Sequence, residues 1–191
     1  DEREQKLREI REKASEVINQ LKTFSRKEDL IEGIWEQNSE KAIEALNKLA
    51  EMIERAEKYV IDITRDFSFS KGLREAIKSC LKRKVKIMIM CMGINQENFY
   101  RAKWYYEQNI PIRVFEARIH PRILVVDGKE VAIRLDSNPR AKRFRFRTIW
   151  SNEPSFVAVM DSYMKNLWKM ARPVDLNSLK ENLINIPSSF G

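Results

Sequence analysis

The part of the chain that decides the fold consists of two β-rich runs joined by a turn: Arg122-Ile123-Leu124-Val125-Val126-Asp127-Gly128-Lys129-Glu130-Val131-Ala132-Ile133-Arg134. Asp127-Gly128 predicts a β-hairpin, because both residues tolerate the left-handed backbone conformation that a two-residue hairpin turn requires. We therefore expect two neighbouring antiparallel strands at this point of the chain.

Strands and helices alternate on both sides of this hairpin. The apolar run 85–91 is nearly continuous, which is typical of a central strand covered on both faces. Periodicity and capping residues predict further elements: strands at about 30–36, 59–64, 112–115 and 148–150, and helices from Asn38 or Ser39, over 70–83, over 96–108 and from Pro154 to Arg172-Pro173. This order predicts an α/β sandwich with a mixed sheet.

Composition restricts the class of function. The 191 residues include 36 Lys+Arg against 28 Asp+Glu, which gives a net charge of +8, and 43% of the residues are hydrophobic. Five scattered glycines exclude a P-loop or a dinucleotide fingerprint. One His and two Cys exclude a His-rich or Cys-rich metal site, so we expect no metal and no cofactor. No apolar run approaches the roughly 18 residues that cross a membrane.

These counts predict a soluble, cytoplasmic and basic protein with no membrane partner. We expect the two cysteines, Cys80 and Cys91, to be reduced core residues, because free cysteine is among the most buried residue types.

The first 26 residues predict a coiled-coil dimerisation helix. Apolar side chains recur at alternating steps of three and four residues, the period of a coiled-coil seam. The seam consists of Leu7, Ile10, Ala14, Val17, Leu21 and Phe24. The alternative is an amphipathic helix that packs on its own domain. The predicted organisation is then a coiled coil at 1–26, an α/β domain at 27–172 and a tail at 173–191.

The single histidine precedes the hairpin in the pattern His120-x-Arg122-x4-Asp127. This pattern resembles one half of the phospholipase D signature, His-x-Lys-x4-Asp. The resemblance implies His120 as a nucleophile on phosphorus, Arg122 as the phosphate ligand and Asp127 as a support within the hairpin. Residues two apart on a strand share a face, so we expect His120 and Arg122 to approach one anion together.

The signature is incomplete. Leu135-Asp136-Ser137-Asn138 replaces the expected Gly-Ser, and the chain has one motif where a complete active site needs two. We therefore expect a non-catalytic domain with no catalytic residues. Two alternatives stay open: a dimeric phosphodiesterase or nuclease in which each copy supplies His120, and a sensor that binds a small anion near His120 and Arg122.

The order of several weaker motifs resembles the C-terminal region of TrmB-type archaeal transcriptional regulators. After the charged seam helix come Ile34-Trp35-Glu36 and then a long helix, whose end at residues 53–60 leads into the apolar strand that starts at Tyr59. The segment 82–87 opens the central strand, His120 to Asp127 form the hairpin motif, and an aromatic helix at 156–168 closes the domain.

This resemblance covers about 28–171 and the coiled coil. It implies a phospholipase-D-like fold, a homodimer, and double-stranded DNA as a partner, bound mainly through a winged helix-turn-helix expected before Asp1. It also implies a chromosome-associated location and leaves a small-molecule effector possible but unidentified. About twenty residues follow Ala171, so we do not expect the sugar-binding domain of many relatives.

A basic segment, residues 140–147, precedes the last predicted strand. It alternates five positive residues with two phenylalanines, and such cations can neutralise phosphates while aromatic rings stack on bases. The candidate nucleic-acid-binding residues are Arg140, Lys142, Arg143, Arg145 and Arg147. The alternative is an ordinary solvated segment in which Phe144 and Phe146 turn inward and the arginines turn outward.

Overall fold

The computed structural model describes residues 28–35, 40–67, 70–117, 119–136 and 144–176. These residues form four helices, namely α1 (Glu40–Glu54), α2 (Lys71–Lys82), α3 (Phe99–Glu107) and α4 (Pro154–Met170). They also form eight strands, namely β1 (Glu28–Trp35), β2 (Tyr59–Thr64), β3 (Lys86–Cys91), β4 (Ile112–Val114), β5 (Arg122–Val126), β6 (Glu130–Asp136), β7 (Phe144–Ser151) and β8 (Arg172–Pro173). The predicted coiled-coil seam lies outside the described residues.

All eight strands belong to one mixed sheet with the order β1-β7-β6-β5-β2-β3-β4-β8. The neighbours β2, β3 and β4 are parallel, and helices connect them. The remaining neighbours are antiparallel, including the β5–β6 hairpin and the contact of β5 with β2. The hairpin therefore lies beside the parallel part of the sheet and joins it to the antiparallel part.

Two cores lie on opposite faces of the sheet. On the first face, α1, α2 and α3 pack against the strands and bury side chains such as Met52, Ile77 and Tyr105. On the second face, α4 covers the sheet and buries Val157 and Met164. Since side chains alternate along a strand, the inner strands β2, β3, β5 and β6 contribute to both cores.

Several predicted elements are confirmed. The central strand β3 is buried at every residue after Lys86, and both cysteines are free and buried. Helix α2 begins after Ser70, whose hydroxyl accepts a hydrogen bond from the Leu73 N–H at 3.2 Å. The helix from Pro154 is also present, with proline in its first turn.

Other elements differ from the prediction. Strand β7 begins at Phe144 rather than Thr148, because it pairs along its whole length with β1. Helix α3 begins at Phe99 rather than Gln96, because the preceding residues form a turn held by Asn95 and Asn98. Arg172-Pro173 does more than end α4, since it forms the short strand β8 beside β4.

Candidate functional site

Asp127 and Gly128 form the tight turn of the hairpin. Their φ angles are 55° and 64°, and the Lys129 N–H donates to the Val126 carbonyl at 2.9 Å. This is the turn that the dipeptide predicts. A Cβ atom on Gly128 would lie 2.9 Å from the Tyr59 hydroxyl oxygen, so this position also requires the absence of a side chain.

The Asp127 carboxylate holds the start of β2. It accepts hydrogen bonds from the backbone N–H groups of Glu57, Lys58 and Tyr59, each at 2.8 Å. Burial favours the neutral acid, but these three donors outweigh it and lower the pKa of Asp127. Asp127 therefore anchors the hairpin turn to the backbone at the start of β2.

His120 lies against α4 at the end of the sheet. Its Nδ1 atom contacts the Pro121 carbonyl oxygen, and its Nε2 atom contacts the Tyr163 hydroxyl. The imidazole stacks on the Tyr163 ring with an interplanar angle of 9°, and Phe115 packs edge-on against it. Both ring nitrogens of His120 are therefore engaged.

Arg122 has a different environment from His120. Its Nη2 atom donates to both oxygens of the Asp136 carboxylate, at 2.6 and 2.9 Å, and the residue is only 9% exposed. The structure thus gives the three residues of the predicted motif separate partners: the backbone before β2 for Asp127, Tyr163 for His120 and Asp136 for Arg122.

A second arginine faces Arg122 across the hairpin. Arg134 lies directly opposite on β6 and is 4% exposed, although like charges in this arrangement repel. Asp136 compensates part of this charge, because Arg122 and Arg134 both approach its carboxylate. Arg65 reaches Asp136 at 3.4 Å and pairs with Asp66 at 2.8 Å.

A cavity of about 50 Å³ adjoins these charges, between the sheet and the first-face helices. Most of its lining is apolar, and the polar lining residues are Asp62, Thr64, Tyr105, Arg122 and Arg134. Burial raises the pKa of Asp62 to about 7, although Arg122 and Arg134 oppose the shift. Burial and then the charge of Arg122 lower the pKa of Arg134 to about 9.

The sequence prediction did not identify Asp62, Arg134 or Asp136 as site residues. The usable signal is a charged residue within a β-rich run: Asp62 interrupts an apolar run, and Arg134 ends another at a position in register with Arg122. Charged side chains are rarely buried without partners, so such positions merit attention.

The described part of the basic segment belongs to β7. Arg145 and Arg147 are exposed, whereas Phe146 is 1% exposed and packs with Ile31 and Ala45. This alternation matches the inward and outward arrangement considered for the segment. Arg140, Lys142 and Arg143 lie outside the described residues.

Two other kinds of site are absent from the part of the chain that the structure describes. Within it, no group of three or more His, Cys, Asp or Glu residues is arranged to hold a metal ion. None of its helices combines the length and the apolar character that a bilayer crossing needs.

Comparisons place the chain among known families. Residues 36–175 match the family model described as transcriptional regulator TrmB, EBD N-terminal subdomain. No curated protein matches the chain.

Similar folds occur among solved structures. TrmBL2, an archaeal chromatin protein, shares 20% identity at a TM-score of 0.57, and the match covers 91% of this chain and 66% of that one. This chain therefore spans just under two thirds of TrmBL2. Nuc, a phospholipase D family member from Salmonella typhimurium, shares 15% identity at a TM-score of 0.57, covering 77% and 98% of the two chains. NucT from Helicobacter pylori shares 16% identity at 0.54, covering 76% and 100%. The predicted phospholipase-D-like α/β fold is confirmed.

Proposed function

Because this chain belongs to the family of the TrmB transcriptional regulator EBD N-terminal subdomain, we propose that it is the non-catalytic dimerisation and effector-like part of a DNA-binding regulator or chromatin protein. The proposal includes the division into a coiled coil at 1–26, an α/β domain at 27–172 and a tail at 173–191. It also includes a separate winged helix-turn-helix as the main DNA reader. The DNA binding described for TrmBL2, an archaeal chromatin protein of similar fold, supports DNA as the partner.

The hydrogen-bond partners of both His120 ring nitrogens support the non-catalytic part of the proposal. A histidine nucleophile needs a free nitrogen lone pair that faces the substrate. Next to the Pro121 carbonyl, Nδ1 must be the protonated nitrogen, so in the neutral ring Nε2 accepts a hydrogen bond from the Tyr163 hydroxyl. The lone pair is thus occupied, and Asp136 already pairs with the arginine that would bind phosphate.

An assay of phosphodiester hydrolysis tests the non-catalytic part of the proposal. We expect the chain to release no nitrophenol from bis(p-nitrophenyl) phosphate above the buffer rate. Hydrolysis by the unmodified chain that disappears in His120→Ala would establish the dimeric phosphodiesterase instead.

The seam of residues 7–24 supports a homodimer. Its six apolar positions follow the coiled-coil period, and the intervening positions are rich in Glu, Lys and Arg. Sedimentation equilibrium at micromolar concentration should give a dimer that dissociates when four seam residues, Leu7, Ile10, Val17 and Leu21, are replaced by polar ones. The control, Glu12→Gln with Glu16→Gln, lies off the seam and should keep the dimer. A monomeric parent chain, or a seam variant that stays dimeric, contradicts this interface.

The basic segment 140–147 supports a weak DNA contact within this chain. Arg145 and Arg147 are exposed on β7, on the side opposite to the buried Phe146. If both bind phosphates, replacing them by Gln should lower the slope of log K against log salt by about 1.8, since each phosphate contact contributes about 0.9.

Binding of a 20-base-pair duplex, followed by fluorescence anisotropy over a range of salt concentrations, measures this slope. The matched control replaces two exposed lysines elsewhere, Lys71→Gln with Lys103→Gln. Equal losses in both double variants would assign the binding to net charge alone and remove Arg145 and Arg147 from the proposed interface.

A further inference from the structure

Exposed apolar side chains concentrate on the last helix of the domain, α4. Among the described residues, nine large apolar side chains are exposed, and four of them belong to α4: Phe156, Val159, Tyr163 and Met170. A fifth, Ile119, immediately precedes His120, whose ring stacks on Tyr163. A group of neighbouring exposed apolar side chains marks an interaction surface, whereas single ones scattered over a surface need no explanation.

The exposed side chains of α4 form one stripe. From residue 156 to residue 170 they recur at steps of three and four residues once Asn166 is included, so they share one flank of the helix. We call this set the α4 stripe: Phe156, Val159, Tyr163, Asn166 and Met170. Met160 and Leu167, partly buried against the second-face core, lie beside it. The stripe carries no charge, so it suits an apolar partner and not a phosphate backbone.

The N-terminal segment joins the sheet close to the start of α4. Glu28, the first residue of β1, pairs with Ser151, the last residue of β7, and α4 begins three residues later at Pro154. Arg26, where the proposed coiled coil ends, is at most about 8 Å from Glu28 along the chain. A dimer through that coil therefore brings the start of α4 from both copies near one two-fold axis.

The two ends of α4 carry opposite charges. Glu153 lies at the N-cap position, and Lys169 lies in the last turn. If two copies of α4 pack antiparallel, Lys169 points towards the partner's Glu153, and the helix dipoles also oppose each other. Tyr163 lies midway between Phe156 and Met170, so a two-fold axis near it places the stripe against its own copy, as a symmetric dimer requires.

The stripe is too small to hold two copies together by itself. From Phe156 to Met170 it is about 21 Å long, and with a helix width of about 10 Å each copy offers about 200 Å². Two copies then bury about 400 Å², well below the roughly 1,200 Å² of a stable interface. A second contact such as the coil makes up the difference, because it raises the effective concentration of the stripe to about the millimolar range.

We propose that the α4 stripe is a second contact of the homodimer, in which α4 packs antiparallel on α4 of the partner subunit about an axis near Tyr163. This contact rests on the coiled-coil dimer proposed above and names what the α/β domain adds to it. It covers apolar side chains that α4 otherwise leaves in water, among them Val159 and Met170.

Sedimentation equilibrium of the 191-residue chain tests the contribution of the stripe. Val159 is 66% exposed, so Val159→Glu should leave the fold intact while it puts two charges into each dimer contact. The dimer Kd should rise at least tenfold. Ile43→Glu is the matched control, because Ile43 is also β-branched and exposed on a helix, but on the other face of the sheet. Its Kd should change less than twofold. Met170→Glu repeats the test at a second exposed position.

Cross-linking tests which elements meet at the axis. Tyr163→Cys should give a covalent dimer with bismaleimidoethane, because the two thiols lie on either side of the axis. Cys80 and Cys91 are buried and should not react in the folded chain. Tyr100→Cys is the control, since Tyr100 is exposed on α3, and it should stay monomeric on a denaturing gel.

The outcomes separate this contact from the coil. An unchanged Kd in both Val159→Glu and Met170→Glu overturns the α4 contact and leaves the seam dimer in place. A seam variant that stays dimeric until Val159→Glu is added supports the α4 contact and contradicts the coil. A raised Kd without cross-linking at position 163 assigns the stripe to another occupant, such as residues 1–27 of the same chain, and refutes the packing of α4 on α4. A monomeric parent chain overturns both contacts.

Discussion

Replacing Asp62 by Asn should change how the stability of the domain depends on pH. The carboxyl group is buried beside the cavity, and its pKa is raised from 3.8 to about 7 in the folded chain. A raised pKa means that the folded state binds the proton more tightly than the unfolded state does. The corresponding stabilisation is complete below about pH 4 and is lost as the pH rises through 7.

The size of this effect follows from the shift. A difference of about three pKa units corresponds to about 4 kcal/mol at 1.36 kcal/mol per unit. Asn has nearly the same shape and does not ionise, so the variant should escape this loss. Relative to the parent chain, Asp62→Asn should gain up to about 4 kcal/mol between pH 4 and pH 8.

Urea unfolding followed by the fluorescence of the four tryptophans measures this gain. At a typical slope of about 2 kcal/mol per M urea, the midpoints of variant and parent should separate by about 2 M at pH 8. Glu75→Gln removes one negative charge at an exposed position and serves as the control. Parallel curves for Asp62→Asn and the parent chain from pH 5 to pH 8 would refute the buried, titrating Asp62.

The remaining predictions concern the hairpin and its surroundings, and urea midpoints measure each of them. Asp136→Asn should destabilise the domain by about 3–5 kcal/mol, because it removes the carboxylate that pairs with the buried Arg122 guanidinium, and a loss below about 1 kcal/mol would contradict the buried ion pair. Asp127→Ala removes the acceptor of three backbone N–H groups and should lower the free energy of unfolding by about 2 kcal/mol. A much smaller loss would show that water takes over the role of the carboxylate. Gly128→Ala forces a side chain into the left-handed region and against Tyr59, so it should cost at least about 1–2 kcal/mol, whereas a neutral change would argue against the turn. Phe146→Ala should cost about 3–5 kcal/mol, because this ring fills the core beneath β7, and an outward-facing ring would make the substitution nearly neutral.

Local chemistry explains which elements were predictable. The Asp127-Gly128 turn depends on the conformational preferences of two residues, and its prediction needed no knowledge of distant contacts. The same holds for the N-terminal cap of α2 at Ser70. By contrast, β8 has two residues and exists only because β4 offers an edge to pair with, so nothing within residues 172–173 could predict it.

Strand β7 shows a second limit of prediction from sequence. Alternating Phe and Arg at 144–147 fits a strand as well as a basic loop, and pairing with β1 decides in favour of the strand. Whether a charged residue in a strand faces solvent or a core depends on what packs on each face. Arg147 and Arg134 both lie on strands, yet the first is exposed and the second is buried beneath helices that come from earlier in the chain.

The expected meeting of His120 and Arg122 depended on a rule that holds only within a strand. Side chains two residues apart share a face when both belong to the pleated strand, but β5 begins at Arg122. Pro121 precedes it and has no N–H to donate to a neighbouring strand, so His120 lies before the ladder and turns towards α4. Arg122 obeys the alternation and turns towards Asp136, on the face that holds the cavity.

The half-motif is therefore divided between different parts of the domain, and each residue has a structural partner of its own. The Asp127 carboxylate accepts a hydrogen bond from the backbone at the start of β2, and the Tyr163 hydroxyl contacts the His120 ring. Arg122 alone adjoins a cavity with unused hydrogen-bonding capacity. This division of the half-motif supports the proposal that His120 is not a catalytic residue.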